Sequence, residues 1–408
     1  MKIADTSLPV VVAKLVPERF DHQGLGIARS LGRLGVSVRC CHDSLDVPAA
    51  SSRYDVEPLA FTGAGDEALE FLKALGKRLG RAILIPTDDV SSVLVAEHGE
   101  DLREWFLFPR QPPGLAAKLY SKQGMDELCR DLGVPTPHTT FPQSRADVEA
   151  LADETRYPLV IKGIDSWALA DRTGTRIAIV ESKEELLAAY DRLEDPAEPN
   201  LMLQEYIPGG PETVWMFDGY FDESSECRFG VTARKLRQFP PYTGLTCLGV
   251  VERNERVLDQ TTSFMREVGY RGILDIGWRY DARDDTYKLL DVNPRIGATF
   301  RLFVGKGGMD VVRALYLDLT GQDVPRDEAH NGRRWVVENL DLTSSRKYVA
   351  DGKLTWREWA RSFRGVEEAA WFARDDPKPF AAMCAQTGSA KTRRMLSRLR
   401  AVTTMRPR

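Results

Sequence analysis

Along the first hundred residues, short apolar runs alternate with longer stretches of helical period. Residues 9–15, "PVVVAKL", form a continuous apolar run of strand length, and 24–35, "GLGIARSLGRLG", repeat apolar positions every three to four residues. The same pairing recurs as 36–41 "VSVRCC" with 66–80 "DEALEFLKALGKRLG", then 81–86 "RAILIP" with 89–99 "DVSSVLVAEHG". This βαβαβα order predicts a parallel, doubly wound α/β sheet. Gly24 and Gly26 stand at its first β–α turn, but Arg29 occupies the third position of a dinucleotide fingerprint. Close packing of helix on strand therefore explains the glycines better than a nicotinamide site.

After the linker-like "FPRQPPG" at 108–114, the pattern changes. A helix over 121–132 is stopped by Gly133, with Pro135 and Pro137 beyond it. Strands are predicted at 157–163, 176–181 and 201–207, with a helix from Lys183 that Ser182 caps and Glu185 completes as a capping box. A run of strands follows, at 213–221, 227–239, 247–252, 272–280 and 287–292, with one helix at 256–269 among them. The middle of the chain thus reads as α+β and mostly antiparallel. From about 322 the sequence turns polar, with short helices expected around Trp356 and Arg393.

Composition narrows the class. The chain has 408 residues, 43% apolar and 28% charged, which suits a soluble protein of two or three domains. A net charge of −4 gives no reason to expect nucleic acid. The basic exception is the tail 391–408, with seven basic residues and no acid, read as a solvated helix end, with contact to an acidic partner or an anionic membrane surface as the alternative. Six cysteines without a CxxC pair are expected to be reduced thiols of a cytoplasmic protein, and the apolar stretch near the N-terminus is too short to span a bilayer. Five scattered histidines make a zinc site or a serine–histidine triad a poor fit.

The chemistry concentrates at strand ends. Lys162 ends "PLVIK", Glu205 ends "LMLQE", Glu212 follows a glycine turn, and Arg234, Lys235 and Arg237 share one strand. Asp275 lies inside the apolar "GILDIGW". Asp291, Asn293 and Arg295 close the strand "YKLLDVNPR". Taken singly, a lysine at a strand end snorkels to water and "NPR" is a polar turn. A carboxylate amid Ile273, Leu274, Ile276 and Trp278 needs a partner or a cation. Oxygen ligands without histidine suit Mg²⁺, and basic residues on separate strands suit a polyphosphate. Neither a P-loop nor the kinase signature set is present.

The ordered set "SKQGMDELCRDLGVPTP", "YPLVIKG", "LQEYIPGGPE", "ILDIGW" and "LLDVNPR" resembles the ATP-grasp superfamily, and within it the carboxylate–amine ligase group. The resemblance implies a Rossmann-like pre-ATP-grasp domain at 1–113 and an ATP-grasp domain at 114–322. The latter would comprise a small lobe at about 140–208 and a large lobe at about 209–322. A C-terminal extension with the basic tail would occupy 323–408. It further implies that Lys122 and Lys162 bind phosphates of ATP, that Glu205, Tyr206 and Ile207 read adenine, and that Glu212 holds the ribose. Lys235 and Arg237 would add to nucleotide binding. Asp275, Asp291 and Asn293 would hold Mg²⁺ or Mn²⁺, Arg295 with Lys162 would be catalytic, and Arg301 would orient the substrate carboxylate with a bidentate guanidinium. The implied reaction makes an acyl phosphate from a carboxylate and passes it to an amine, forming an amide. Small-molecule carboxylate and amine substrates, no nucleic acid, no stable membrane insertion and a homodimer complete the expectation. Two departures stand out: Asp291 replaces the longer glutamate of many members, and the segment after Lys162, "GIDSWALADRTGTR", is poor in glycine. A nucleotide-binding regulator without catalysis, and a Rossmann oxidoreductase using Gly24 and Gly26, are the competing readings.

Overall fold

In the computed structural model the described residues are 1–242 and 244–388, so the basic tail and the helix expected around Arg393 lie outside them. The chain forms two compact units. One comprises Met1–Ala116, Met216–Asp275 and Asn293–Arg408, the other Ala117–Trp215 and Ile276–Val292.

The first unit begins with the expected parallel sheet. Strands β1 (Val10–Ala13), β2 (Val38–His42), β3 (Leu59–Ala60), β4 (Ala82–Pro86) and β5 (Phe106–Leu107) lie in the order β3-β2-β1-β4-β5. Every residue of β1 is buried, as expected of a strand covered on both faces. The first helix, His22–Gly32, starts two residues before the periodic pattern because Asp21 caps it, accepting from the backbone N–H groups of Gln23 (3.1 Å) and Gly24 (3.0 Å). Gly26 is the close-approach position: a Cβ there would lie 3.0 Å from Arg301 Cγ and Phe300 Cε1. Its fellow Arg29 is buried, donating to Asp376 and to the carbonyls of Ala370 and Trp371. The helix N-terminus that would hold a pyrophosphate is filled by the protein's own carboxylate, so the oxidoreductase reading has no phosphate site here.

The second unit holds a four-stranded sheet. Its strands are β6 (Thr139–Thr140), β7 (Leu159–Gly163), β8 (Ile177–Val180) and β9 (Leu201–Glu205), ordered β6-β9-β7-β8 and antiparallel. The helices Arg145–Glu154 and Lys183–Leu193 cover it, with Val148, Leu159, Ile161, Leu186 and Leu203 in a common core. Ser144 and Ser182 cap the two helices. Each fully buried side chain of this size contributes roughly 1.5–3 kcal/mol.

The remaining strands are β10 (Val214–Phe221), β11 (Cys227–Phe239), β12 (Leu245–Val251), β13 (Gly272–Asp281), β14 (Thr286–Asn293), β15 (Arg334–Val336) and β16 (Val366–Ala369). Most of β13 and β14 belong to the second unit; the first four residues of β13 and the last of β14 belong to the first. Within the first unit the order is β10-β11-β12-β15-β16, with β13 beginning beside β10. The polar C-terminal segment is therefore part of a sheet: β15 pairs antiparallel with β12 (Leu248↔Val336) and parallel with β16. Trp335 and Trp371 are buried in the same core as Val10, Leu31 and Phe300. The helix expected at Trp356 runs Trp356–Ser362, and a longer one, Glu338–Ala350, was not foreseen. All six cysteines are unpaired. Among the described residues, no helix is long and apolar enough to cross a membrane.

Candidate active site

In the second unit, strand register places the basic residues. Lys162 lies opposite Met202 and Leu159 opposite Glu205, so Lys162 and Glu205 are three residues apart along the paired strands, about 10 Å. Lys122, first residue of the Ser121-capped helix Lys122–Asp131, makes an ion pair with Asp291 near the end of β14. Burial depresses the Lys162 ammonium to about 8, helped by the nearby charge of Lys122 and opposed by Asp291. Two lysines thus share one carboxylate, an arrangement ready to accept a polyanion.

The hinge residues are held from the β13–β14 hairpin. The Glu205 carboxylate takes ion pairs from Arg283 (2.5 Å) and Lys288 (3.3 Å), which commits it away from a ligand. Arg279 donates to the Gly209 carbonyl (2.5 Å), and its guanidinium lies 6.0 Å from the centre of the Tyr206 ring. Ile207 is buried, and Glu212 accepts from the Gly210 N–H (2.9 Å). The glycine-poor segment after Lys162 is the helix Ser166–Thr173 rather than a flap. Its hydroxyls are also committed: Ser166 donates to Gly163 O (3.2 Å) and Thr173 to Leu169 O (2.7 Å).

In the first unit, the tip of β14 meets β13. Asn293 Nδ2 lies 3.4 Å from Asp275 Oδ2. Gly297 closes over the same carboxylate: a Cβ on it would sit 2.7 Å from Asp275 Oδ2, so only glycine lets the turn approach. Gln23 fixes the turn by donating to Ile296 O (2.7 Å), and Arg295 Nε bonds Asp89 Oδ1 (2.6 Å). Asp218 on β10 is fully buried, and neither carboxylate oxygen has a hydrogen-bond partner among the described residues. Burial, Asp275 and Asp310 push its pKa well above the usual carboxylate range. An orphaned acid beside Asp275 and Asn293 is a donor set of oxygen type, and it fits a hard divalent cation.

The expected residues therefore fall into two groups: Lys122, Lys162 and Asp291 in one unit, Asp275, Asn293 and Arg295 in the other. Two further expectations need correction. Arg237 does not face a ligand; its guanidinium binds Asp341 (2.6 and 3.1 Å) and Ser362 (2.8 Å) in the core. Arg301, read as a carboxylate-orienting residue, is buried in a network with Asp310 and Glu368. Lys235 donates to Gly244 O (3.3 Å), and Arg234 pairs with Glu252. Sequence reasoning missed Asp218, Arg279 and Asp89. The first had a signal, a lone acid in the apolar strand "VWMFDGYF". Elsewhere, Cys40, His42 and Asp55 form a buried cluster whose His42 Nε2 and Asp55 Oδ2 lie 2.7 Å apart, a hydrogen-bonded core pair.

No family model matches the chain. Over 240 residues it is 24% identical to the D-aspartate ligase of Enterococcus faecium (strain Aus0004), a match covering 57% of this chain and 57% of that protein. It superposes on N5-carboxyaminoimidazole synthetase from Staphylococcus aureus with a TM-score of 0.60 over 80% of this chain and 81% of that one, at 12% identity. The L-amino acid ligase from Bacillus licheniformis gives a TM-score of 0.56 over 78% and 75%, at 14% identity. The chain thus spans little more than half the length of that curated relative, while the fold corresponds to the first solved structure over four-fifths. The parallel sheet and the antiparallel β6–β9 sheet thus belong to a fold that this chain shares with these solved structures.

Proposed function

We propose that the protein is an ATP-dependent ligase that phosphorylates a substrate carboxylate and couples it to an amine, releasing ADP and phosphate. The observation that carries this is the Lys122–Asp291–Lys162 group, in which a depressed ammonium waits for an anion. Lys122 and Lys162 would bind phosphate oxygens, displacing Asp291 from its ion pair. The backbone of Tyr206 and Ile207 would take the adenine, since Glu205 is engaged by Arg283 and Lys288. Glu212 would hold the ribose hydroxyls and Lys235 would add a cation.

Asp275 and Asn293 would hold Mg²⁺ or Mn²⁺, with Asp291 contributing once released. Such a cation would neutralise phosphate charge and polarise the transferring group. Arg295 would leave Asp89 to stabilise the oxyanion formed when the amine attacks the acyl phosphate. No side chain acts as a nucleophile, so catalysis is positioning and electrostatics. The acyl phosphate makes a poor electrophile reactive; the amine then displaces phosphate and loses a proton.

The experiment is to incubate the protein with ATP and Mg²⁺ against separate pools of carboxylates and amines, including amino acids. ADP and phosphate should appear only when both partners are present. ATP binding without acceptor-dependent turnover in any pool would favour the regulator instead.

A further inference from the structure

We propose that a cavity in the first unit, at the edge of the parallel sheet where β4 and β5 begin, binds a compact polyanion. The cavity has a volume of about 280 Å³ and is lined by four arginines: Arg81, Arg103, Arg110 and Arg271. Arg81 immediately precedes β4, and Arg103 stands shortly before β5. This edge is opposite the one where β1 and β4 end and where Gln23 and Asp89 hold the Ile296 and Arg295 turn. The site is therefore separate from Asp275, Asn293 and Arg295 of the same unit.

The charges do not cancel locally. Three carboxylates also line the cavity, but two have other work and the third is a weak, exposed partner. Asp222 accepts from the N–H groups of Ser224 and Glu226 and pairs with Arg228. Asp318 accepts from the Tyr220 hydroxyl at 2.5 Å. Glu223 is largely exposed and reaches Arg271 only at 3.8 Å. On the basic side, Arg103 and Arg110 share a single exposed acid, Glu100. Arg81 makes no ion pair among the described residues, and Arg271 Nε is buried without a hydrogen-bond partner. Several guanidinium forks thus converge with donors to spare, the geometry that recognises phosphate or carboxylate groups two oxygens at a time. Phe108 adds an apolar wall. The volume lies at the lower limit of ligand pockets, roughly 300–1,000 Å³, which suits a diphosphate or a small tricarboxylate rather than a nucleotide.

The test uses the full chain in Mg²⁺-free buffer, with pyrophosphate and citrate as probes and chloride at matched ionic strength as reference. Calorimetry and thermal melts should show binding by at least one probe beyond the chloride effect. The Arg81→Gln/Arg271→Gln double variant should bind about tenfold more weakly or worse. Preference for pyrophosphate assigns a phosphoryl ligand, and preference for citrate a carboxylate ligand; either supports the site. If the double variant does not fold, Arg81→Gln/Arg103→Gln, at two exposed arginines, serves the same comparison. Binding no stronger than chloride overturns the proposal. So does probe affinity unchanged in the folded variant, which would place the anion at the lysines of the other unit.

Discussion

The depressed ammonium of Lys162 makes nucleotide affinity depend on pH in a calculable way. With its ordinary value of 10.5 a lysine stays charged throughout the neutral and mildly alkaline range; at about 8 it does not. The charged fraction of Lys162 in the free protein is about 0.9 at pH 7 and about 0.1 at pH 9. A polyanion selects the charged form, so the apparent dissociation constant of MgADP should rise about tenfold between those pH values. Lys162→Arg keeps its charge across the range and should show almost no such change. Calorimetric titration of both proteins at pH 7, 8 and 9 checks this, and the ratio between them cancels the ionisation of the ligand itself. A wild-type affinity that falls no faster than that of the arginine variant would refute the idea that burial and Lys122 destabilise this charge.

Other consequences can be checked in the same preparations. A lysine whose folded value lies below its unfolded one loses stability when charged, so the unfolded chain binds its proton more tightly. Wild-type stability should therefore rise as pH increases from about 8 towards 10.5, and Lys162→Met should melt higher than wild type at pH 7, by on the order of 1–3 kcal/mol. Asp291→Ala should abolish turnover while leaving circular dichroism unchanged; full activity would remove Asp291 from the site. Gly297→Ala forces a methyl against the Asp275 carboxylate and should weaken Mn²⁺ binding, read by electron paramagnetic resonance, by about tenfold. Arg29→Ala leaves Asp376 buried and unpaired and should destabilise the first unit by roughly 3–5 kcal/mol in urea melts.

Hydrophobic period and cap residues were enough to read most elements. The β1–β5 alternation, the helices behind Ser121 and Ser182, and the strand ends bearing Lys162 and Asp291 all lie where apolar runs meet polar residues. Charge partners were harder to foresee. Arg237 and Arg301 look like ligand-facing residues on paper, but their partners Asp341 and Glu368 come from a distant polar segment that local pattern cannot connect to them. The same holds for Glu205, whose partners sit on a hairpin about eighty residues later. The segment after Lys162 shows a different limit. Its few glycines suggested a deficient loop, whereas "SWALADRT" simply has enough helix formers to close as a helix.

The contacts of Arg29 also bear on how the chain is made. Its partners Ala370, Trp371 and Asp376 follow it by 341 to 347 residues, and β15 enters its sheet from the same late stretch. At synthesis rates of roughly 5–20 residues per second, the helix His22–Gly32 waits about 20–70 s on the ribosome before its buried charge can be satisfied. The four-stranded sheet of the second unit, drawn from residues 139–205, has its strands within half a minute or less of one another at those rates. The helix His22–Gly32 is thus locked in place late, and a chaperone that holds nascent chains would meet it while its buried guanidinium still lacks Asp376.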